Sequence, residues 1–194
     1  MKAADLPTYY NICEILEHNL EHRGDKIALL SENGSFTFRE VSEQVNRVGN
    51  ALIRSGVQFG ECVAILCPDR PEWVSVFFAT AKIGGVALGL NTLLKTDEYD
   101  YILKDARVKV LVVHDSLKAL VEPIIKKHDT LIKVITVTDN KSIKCTTFTD
   151  WIDGEKSELD SATTHREDFC SLHYSSGTTG VPKGVMIEHQ GAVN

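Results

Sequence analysis

Between Cys62 and Val137 the sequence alternates between two textures. Short continuous runs of Val, Ile, Leu, Ala and Cys ("CVAILC", "VALGL", "KVLVV", "KVITV") are separated by longer amphipathic stretches ("PEWVSVFFATAKIG", "TDEYDYILKDA", "SLKALVEPIIKKH"). A strand with no polar alternation must be covered on both faces, and parallel neighbours need a crossover of about a dozen residues, usually a helix. The pattern predicts an α/β fold: a mostly parallel sheet with helices on both faces. Pro71 suits the first turn of the first crossover helix, because its missing N–H would have no partner there. Pro123 predicts a kink within the third.

Upstream, Ile12, Ile15, Leu16 and Leu20 recur at helical spacing, which predicts one helix over residues 10–22, stopped at Gly24. "KIALLS" and "SFTF" flank Asn33-Gly34, a strong two-residue hairpin signal. Thr37 and Glu40 fit a capping box opening a helix whose apolar face is Val41, Val45, Val48, Leu52 and Ile53, with Gly56 as its C-cap. Downstream, polar residues 139–167 read as an excursion with at most one short helix. "FCSLHY" and "GVMIEH" then read as two strands bracketing "SSGTTGVPKG", and "HQGAVN" as the first residues of another helix.

Composition removes several function classes. The chain has 194 residues, 43% hydrophobic and 25% charged, with net charge −6, which is ordinary for a globular protein. No stretch combines dense Lys/Arg with aromatics, so the electrostatic footprint for nucleic acid is missing. Lys126, Lys127, Lys133, Lys141 and Lys144 read as a solvated face. Lys82 and Lys95 interrupt the most apolar region before it reaches the roughly 20 residues that span a bilayer, and "MKAADLPTYYN" lacks a secretory apolar core. The expectation is a soluble cytoplasmic protein. Its five cysteines (13, 62, 67, 145, 170) form no Cys-x-x-Cys pair, and Cys62 and Cys67 fall on opposite faces of one strand, so they read as small apolar residues in a reducing compartment.

The Ser/Thr/Gly run from Ser175 to Gly180 would weaken a helix or strand interior and therefore belongs in a loop. Such a loop between strands can cradle phosphate: backbone N–H groups converge, hydroxyls add donors, and a nearby lysine supplies charge. "GTTGVPKG" has each ingredient. It is not a P-loop, since Gly184 follows Lys183 where Ser or Thr should stand, and it does not open a helix as the dinucleotide fingerprint does.

"YSSGTTGVPKGV" resembles the phosphate-binding motif of the adenylate-forming superfamily, which includes acyl-CoA synthetases, peptide-synthetase adenylation domains and luciferases. The stretch from "FTFREVSEQVNRVGNALIRSG" through "LNTLLKTDEYDYILKDARVKVLVV" is similar to that superfamily's N-terminal region in order and spacing, so the resemblance covers about residues 9–194. It implies that Ser175, Ser176, Gly177, Thr178, Thr179 and Gly180 wrap the β- and γ-phosphates of ATP, that Lys183 is the motif's catalytic lysine, and that His189 occupies a position where members often carry a histidine. A lone histidine at a strand end otherwise reads as a surface residue. The implied activity is that of an AMP-forming carboxylate–CoA ligase using ATP, Mg²⁺ and coenzyme A, closest to benzoate–CoA ligase-like members. On this resemblance residues 1–194 are the N-terminal portion of the adenylation domain, without the rest of the large domain and the C-terminal domain. Such a portion is expected to be inactive alone and able to self-associate through its exposed surface.

Two rival readings stand beside the ligase. One is a non-catalytic nucleotide-binding or assembly module that uses the same loop. The other is a zinc hydrolase through "HNLEH", where His18, Glu21 and His22 fit His-x-x-Glu-His and two histidines four apart share a helix face.

Overall fold

The computed structural model describes residues 5–32, 34–140, 145–175 and 182–193. The order of elements follows the sequence pattern closely. After two short helices, α1 (Glu14–Glu17) and α2 (Leu20–Arg23), the strands β1 (Ile27–Ser31) and β2 (Gly34–Thr37) pair antiparallel. Gly34 has φ +126°, the left-handed conformation that favours glycine at such a turn. Helix α3 (Phe38–Arg54) follows at once, opened by a capping box in which the Thr37 hydroxyl accepts from the Glu40 N–H at 3.2 Å and Glu40 accepts from the Thr37 N–H at 2.8 Å.

The alternating region folds as β3 (Cys62–Leu66), α4 (Pro71–Lys82), β4 (Val86–Gly89), α5 (Thr96–Asp105), β5 (Val110–His114), α6 (Asp115–Val121) and β6 (Lys133–Val137). Helix α7 (Phe148–Ile152) is the one helix of the polar excursion among the described residues, and β7 (Phe169–Ser175) and β8 (Lys183–Glu188) close the sheet. The sheet has six strands in the order β6-β5-β3-β4-β7-β8, parallel throughout except for β8, which runs antiparallel to β7 at one edge.

Two apolar layers flank this sheet. Val63, Ile65, Val110, Val112 and Ile135 face α3, α4 and α7. Ala64, Leu66, Leu88, Leu111 and Val113 face α5 and α6. Every residue of β3 is buried, the outcome expected of a strand whose sequence has no polar alternation. Cys62 belongs to one layer and Cys67 to the other, and burial pushes both thiols up to about 12. Cys170 is pushed up to about 11, chiefly by burial as well. Thiols so raised are packing residues, not nucleophiles.

Several local expectations are corrected. The single helix over 10–22 is broken at His18–Asn19: the Asn19 side chain donates to the Ile15 carbonyl at 2.7 Å, while its own N–H bonds to Leu16 three residues back. That side-chain bond competes with the helical ladder. Residues 10–13 lie outside any helix: Tyr9 bridges His165, and the Tyr10 N–H bonds to the Thr164 carbonyl. Ile15 and Ile53, assigned to apolar faces, are 40% and 51% exposed. Pro123 does not kink α6; the helix stops at Val121, and a 3-10 turn over Ile125–Lys127 follows. Gly191–Val193 form a single 3-10 turn. Lys126 and Lys127 are exposed and Lys133 half-buried, while Lys141 and Lys144 lie outside the described residues.

Candidate active site

A crevice opens at the carboxyl ends of β3 and β4. The crossover leaving β3 packs α4 on one face of the sheet, and the crossover leaving β4 packs α5 on the other. Adjacent strands whose helices depart to opposite faces leave a gap between them, the usual ligand position of open α/β sheets. Here the gap measures about 550 Å³ and is lined by Asp69 after β3, Trp73 of α4, Asn91 and Thr92 after β4, and His173 and Tyr174 of β7. Gly89 at the end of β4 makes room for its wall, since a Cβ there would sit 3.1 Å from the Trp73 ring. Trp73 in turn stacks on Phe77, with centroids 5.4 Å apart.

The strand β7 carries the crevice toward the Ser/Thr/Gly run. Ser175 is its last residue and pairs with Lys183, the first residue of β8. Lys183 is exposed and has no hydrogen-bond or ion-pair partner among the described residues. Ser176, Gly177, Thr178, Thr179 and Gly180 lie outside the described residues. Of the seven residues assigned to phosphate, the two at the ends of the run are thus placed at the open end of one hairpin. Tyr174, on the opposite side of β7 from His173, donates its hydroxyl to Asp105 of α5. Burial, with the Asp105 hydrogen bond second, raises the Tyr174 phenol and keeps it protonated.

His189 is a correction. Expected at the surface, it is fully buried just after β8, and its Nδ1 accepts a hydrogen bond from the Ile12 N–H at 3.1 Å. Burial lowers its pKa to about 4, so the ring is neutral, with the proton on Nε2. It packs away from the crevice and does not contribute to it.

The remaining polar clusters are weaker sites. His18 caps the end of α1 and His22 lies in α2, both exposed; the helix break between them removes the shared face that the zinc pattern assumed. Among the described residues no group of three or more His, Cys, Asp or Glu is arranged to hold a metal. His114, Asp115 and Ser116 stand together, but Ser116 Oγ at 2.8 Å and Asp115 Oδ1 at 3.3 Å both approach the same ring nitrogen, Nδ1. A relay needs both nitrogens, and this cluster is instead the N-cap of α6. A second groove of about 320 Å³ beside the hairpin is lined by Leu29, Leu30, Pro71, Trp73 and Val74 together with Ser31, Asp69 and Arg70, and Arg70, its one cation among the described residues, is held by Glu72 and Asp139.

An open, mostly parallel sheet with a crevice at its switch point defines a class of α/β protein whose ligands bind at the carboxyl ends of the strands. The profile of the family described as AMP-binding enzyme matches residues 16–194, and the chain belongs to that family, the adenylate-forming enzymes. Benzoate–CoA ligase of Thauera aromatica is 30% identical over 199 residues, covering 99% of this chain and 36% of that protein. The crystal structure of the anthranilate CoA ligase AuaEII in complex with anthranoyl-AMP is 48% identical, with a TM-score of 0.94, and covers 98% of this chain and 37% of that one. ATP-bound MatB from Rhodopseudomonas palustris is 27% identical with a TM-score of 0.79, covering 97% and 35%. The chain therefore spans little more than a third of the length of these relatives. Its likeness is to the aryl- and benzoate-CoA ligases in particular. No helix among the described residues is long and apolar enough to cross a membrane.

Proposed function

We propose that the protein is an ATP-dependent carboxylate–CoA ligase acting on an aromatic acid, and that residues 1–194 form the N-terminal portion of its adenylation domain. In the first half-reaction a carboxylate oxygen attacks the α-phosphorus of ATP, the bond to the bridging oxygen breaks, and pyrophosphate leaves. Charge grows on the leaving group, so donors aimed at it lower the barrier. Ser175, Ser176, Gly177, Thr178, Thr179 and Gly180 are the donors in this reading, and Lys183 is the catalytic cation. Mg²⁺ arrives with the nucleotide. A thiol, that of coenzyme A, then takes the acyl group from the adenylate.

The observation that carries the proposal is the pairing of Ser175 with Lys183 at the mouth of the β7–β8 hairpin. This pairing brings the two ends of the run together beside the crevice. Lys183 has no competing partner among the described residues, so its charge is available to a phosphate. The benzoate and anthranilate relatives point to the ring-bearing acid. Pyrophosphate exchange in the full-length protein, run against a panel of benzoates and aliphatic acids, tests the reading. Exchange dependent on an aromatic acid supports it. ATP binding without exchange for any acid would favour the nucleotide-binding module instead.

A further inference from the structure

We propose that Tyr174 is a positioning residue for the phosphate end of the site: hydrogen bonded to Asp105 and lying across Gly184, it holds the hairpin mouth from which Ser175 and Lys183 act. The inference rests on the ligase reading above and supplies what keeps the lysine of that reading in place.

The overhang of β7 is the first observation. The strand runs from Phe169 to Ser175, yet its registered partners on β4 stop at Leu172: Ala87 pairs with Ser171 and Leu88 with Leu172. His173, Tyr174 and Ser175 pair with β8 alone, through Val185, Gly184 and Lys183. A two-stranded ribbon is marginal by itself. The mouth of the hairpin therefore needs a tie to the body of the fold.

The second observation is that tie. Within residues 173–175 and 183–185, the Tyr174 hydroxyl makes the only side-chain hydrogen bond among the described residues. Its acceptor, Asp105, is the last residue of α5, a helix anchored by buried Tyr99, Ile102 and Leu103 in the layer over β3, β4 and β5. A carboxylate at a helix C-terminus faces the negative end of the helix dipole, an unfavourable place. Asp105 nevertheless has no cation partner among the described residues, and its side chain bonds to the Tyr174 phenol. That carboxylate serves the hairpin and not its own helix.

The ring supplies the third. Tyr174 and Gly184 stand directly opposite each other. A Cβ on Gly184 would sit 3.3 Å from Tyr174 Cζ and 3.1 Å from Leu172 Cδ1, so the phenol end lies across the β8 backbone there. An aromatic ring that covers an edge-strand glycine replaces the packing which the glycine itself cannot provide. One side chain thus reaches both strands: its hydroxyl fixes β7 to α5, and its ring rests on the residue after Lys183.

The consequence for the chemistry follows from adjacency. Ser175 is one peptide beyond Tyr174 and Lys183 one peptide before Gly184. In the ligase reading Lys183 meets the charge that grows on departing pyrophosphate, and a misplacement of about 1 Å in such a site can cost up to about a hundredfold. That charge is larger in the transition state than in bound ATP. Loosening the mouth should therefore lower kcat more than it raises KM.

Two experiments test the assignment. In the full-length protein, pyrophosphate exchange is measured for Tyr174→Phe, for Lys183→Ala and for the double variant, with rates expressed per folded molecule. Tyr174→Phe should lower kcat about tenfold and leave the KM for ATP within about twofold. Asp105→Ala should reproduce that loss, and Asp105→Asn, which keeps an acceptor, should lose less. In the Lys183→Ala background Tyr174→Phe should change kcat by no more than about twofold, because the group it positions is gone. An unchanged kcat in Tyr174→Phe, or an equal loss with and without Lys183, overturns the role. In the 194-residue chain, backbone amide relaxation by NMR reads the mouth without any turnover. Order parameters at Ser175, Lys183 and Gly184 should fall in Tyr174→Phe from the rigid value of about 0.85 toward about 0.6, with β3 and β5 unchanged. Unchanged order at the mouth overturns the proposal whatever the kinetics. A wild type that exchanges pyrophosphate with no acid sinks the ligase reading, a different result, and the relaxation measurement still decides whether Tyr174 holds the hairpin.

Discussion

His189 and Ile12, at opposite ends of the chain, share a buried hydrogen bond: the ring Nδ1 accepts from the backbone N–H at 3.1 Å. Around it the Tyr10 and Arg166 N–H groups bond to Thr164 and Thr8, and the Gln190 N–H bonds to Arg166. The N-terminal segment is thereby laced between the start of β7 and the end of β8. A protonated ring could not accept the Ile12 hydrogen bond, which is consistent with a pKa lowered by burial to about 4.

That shift fixes a pH dependence. The unfolded histidine takes up its proton near its ordinary value of about 6.5, the folded one only near 4, so the unfolded state binds more protons between them. Stability is full above about pH 6.5 and falls as pH drops toward 4, by up to about 1.4 kcal/mol per pH unit from this group. Urea titrations of wild type and His189→Gln across that window check it: the two curves should converge as pH falls. A constant gap would show that the histidine is not the group responsible.

Lys82 is 3% exposed at its side chain, and its ammonium bonds to Glu17 and, at 2.7 Å, to Asn46. Asn46 also donates to Ser157 at 2.7 Å, so α4, α1, α3 and the polar excursion meet at one buried charge. Lys82→Ala leaves a carboxylate and an amide without their partner and should cost about 3–5 kcal/mol in chemical denaturation. Combining Lys82→Met with Glu17→Gln should recover a good part of that loss. Independent additivity of the two changes would contradict the coupling.

Much of this architecture is legible in the sequence because it is local. Period-free Val/Ile/Leu runs gave β3 through β6, the Thr37–Glu40 box opened α3, and Asn33-Gly34 marked the hairpin. The run from Ser175 to Gly180 and its lysine carried the family. What stayed hidden depends on contacts between distant segments. His189 looks like a surface residue until the N-terminal segment is folded over it, and Lys82 reads as an interruption until Glu17 and Asn46 surround it. The crevice is hidden for the same reason: Trp73, Asn91 and His173 become neighbours only when β3, β4 and β7 are ordered side by side. Its one sequence signal was a histidine two residues before the run, on the strand face shared with Ser175.

Tyr174 offers a test of how β7 is held. Its hydroxyl reaches Asp105 at the end of α5, and the raised phenol remains a donor through the neutral range. Tyr174→Phe removes one hydrogen bond to a charged acceptor while keeping the ring, and should cost about 1–2 kcal/mol in urea denaturation. Asp105→Asn, which retains an acceptor oxygen, should cost less than Tyr174→Phe. The reverse order would remove this contact from the account.

Lys183 should separate chemistry from stability. It is exposed, begins β8, and is unpaired among the described residues, so Lys183→Ala should alter the stability of the chain by no more than about 0.5 kcal/mol. In the full-length protein the same change should slow pyrophosphate exchange by about a hundredfold or more, the typical effect of losing one group that stabilises developing charge. Unchanged exchange, or a large fall in stability, would move Lys183 out of the phosphate site.

The last prediction concerns the edge of the sheet. Strand β8 has β7 on one side and no strand on the other among the described residues, and Val185 and Met186, on opposite faces, are 53% and 60% exposed. The other edge is different: β6 is bridged by Thr147 beside Thr136, with Thr136 N–H bonded to Thr146. An uncovered edge strand with exposed apolar side chains at its centre is a template for pairing with a second copy. The 194-residue chain should therefore associate with increasing concentration in sedimentation velocity. Val185→Lys puts a charge where a pairing strand would lie and should shift the distribution toward monomer, while Ile53→Lys, exposed on α3 away from the edge, should not. Equal effects of the two substitutions would point to general apolar association, and a wild-type monomer over the whole range would exclude the edge as a pairing surface.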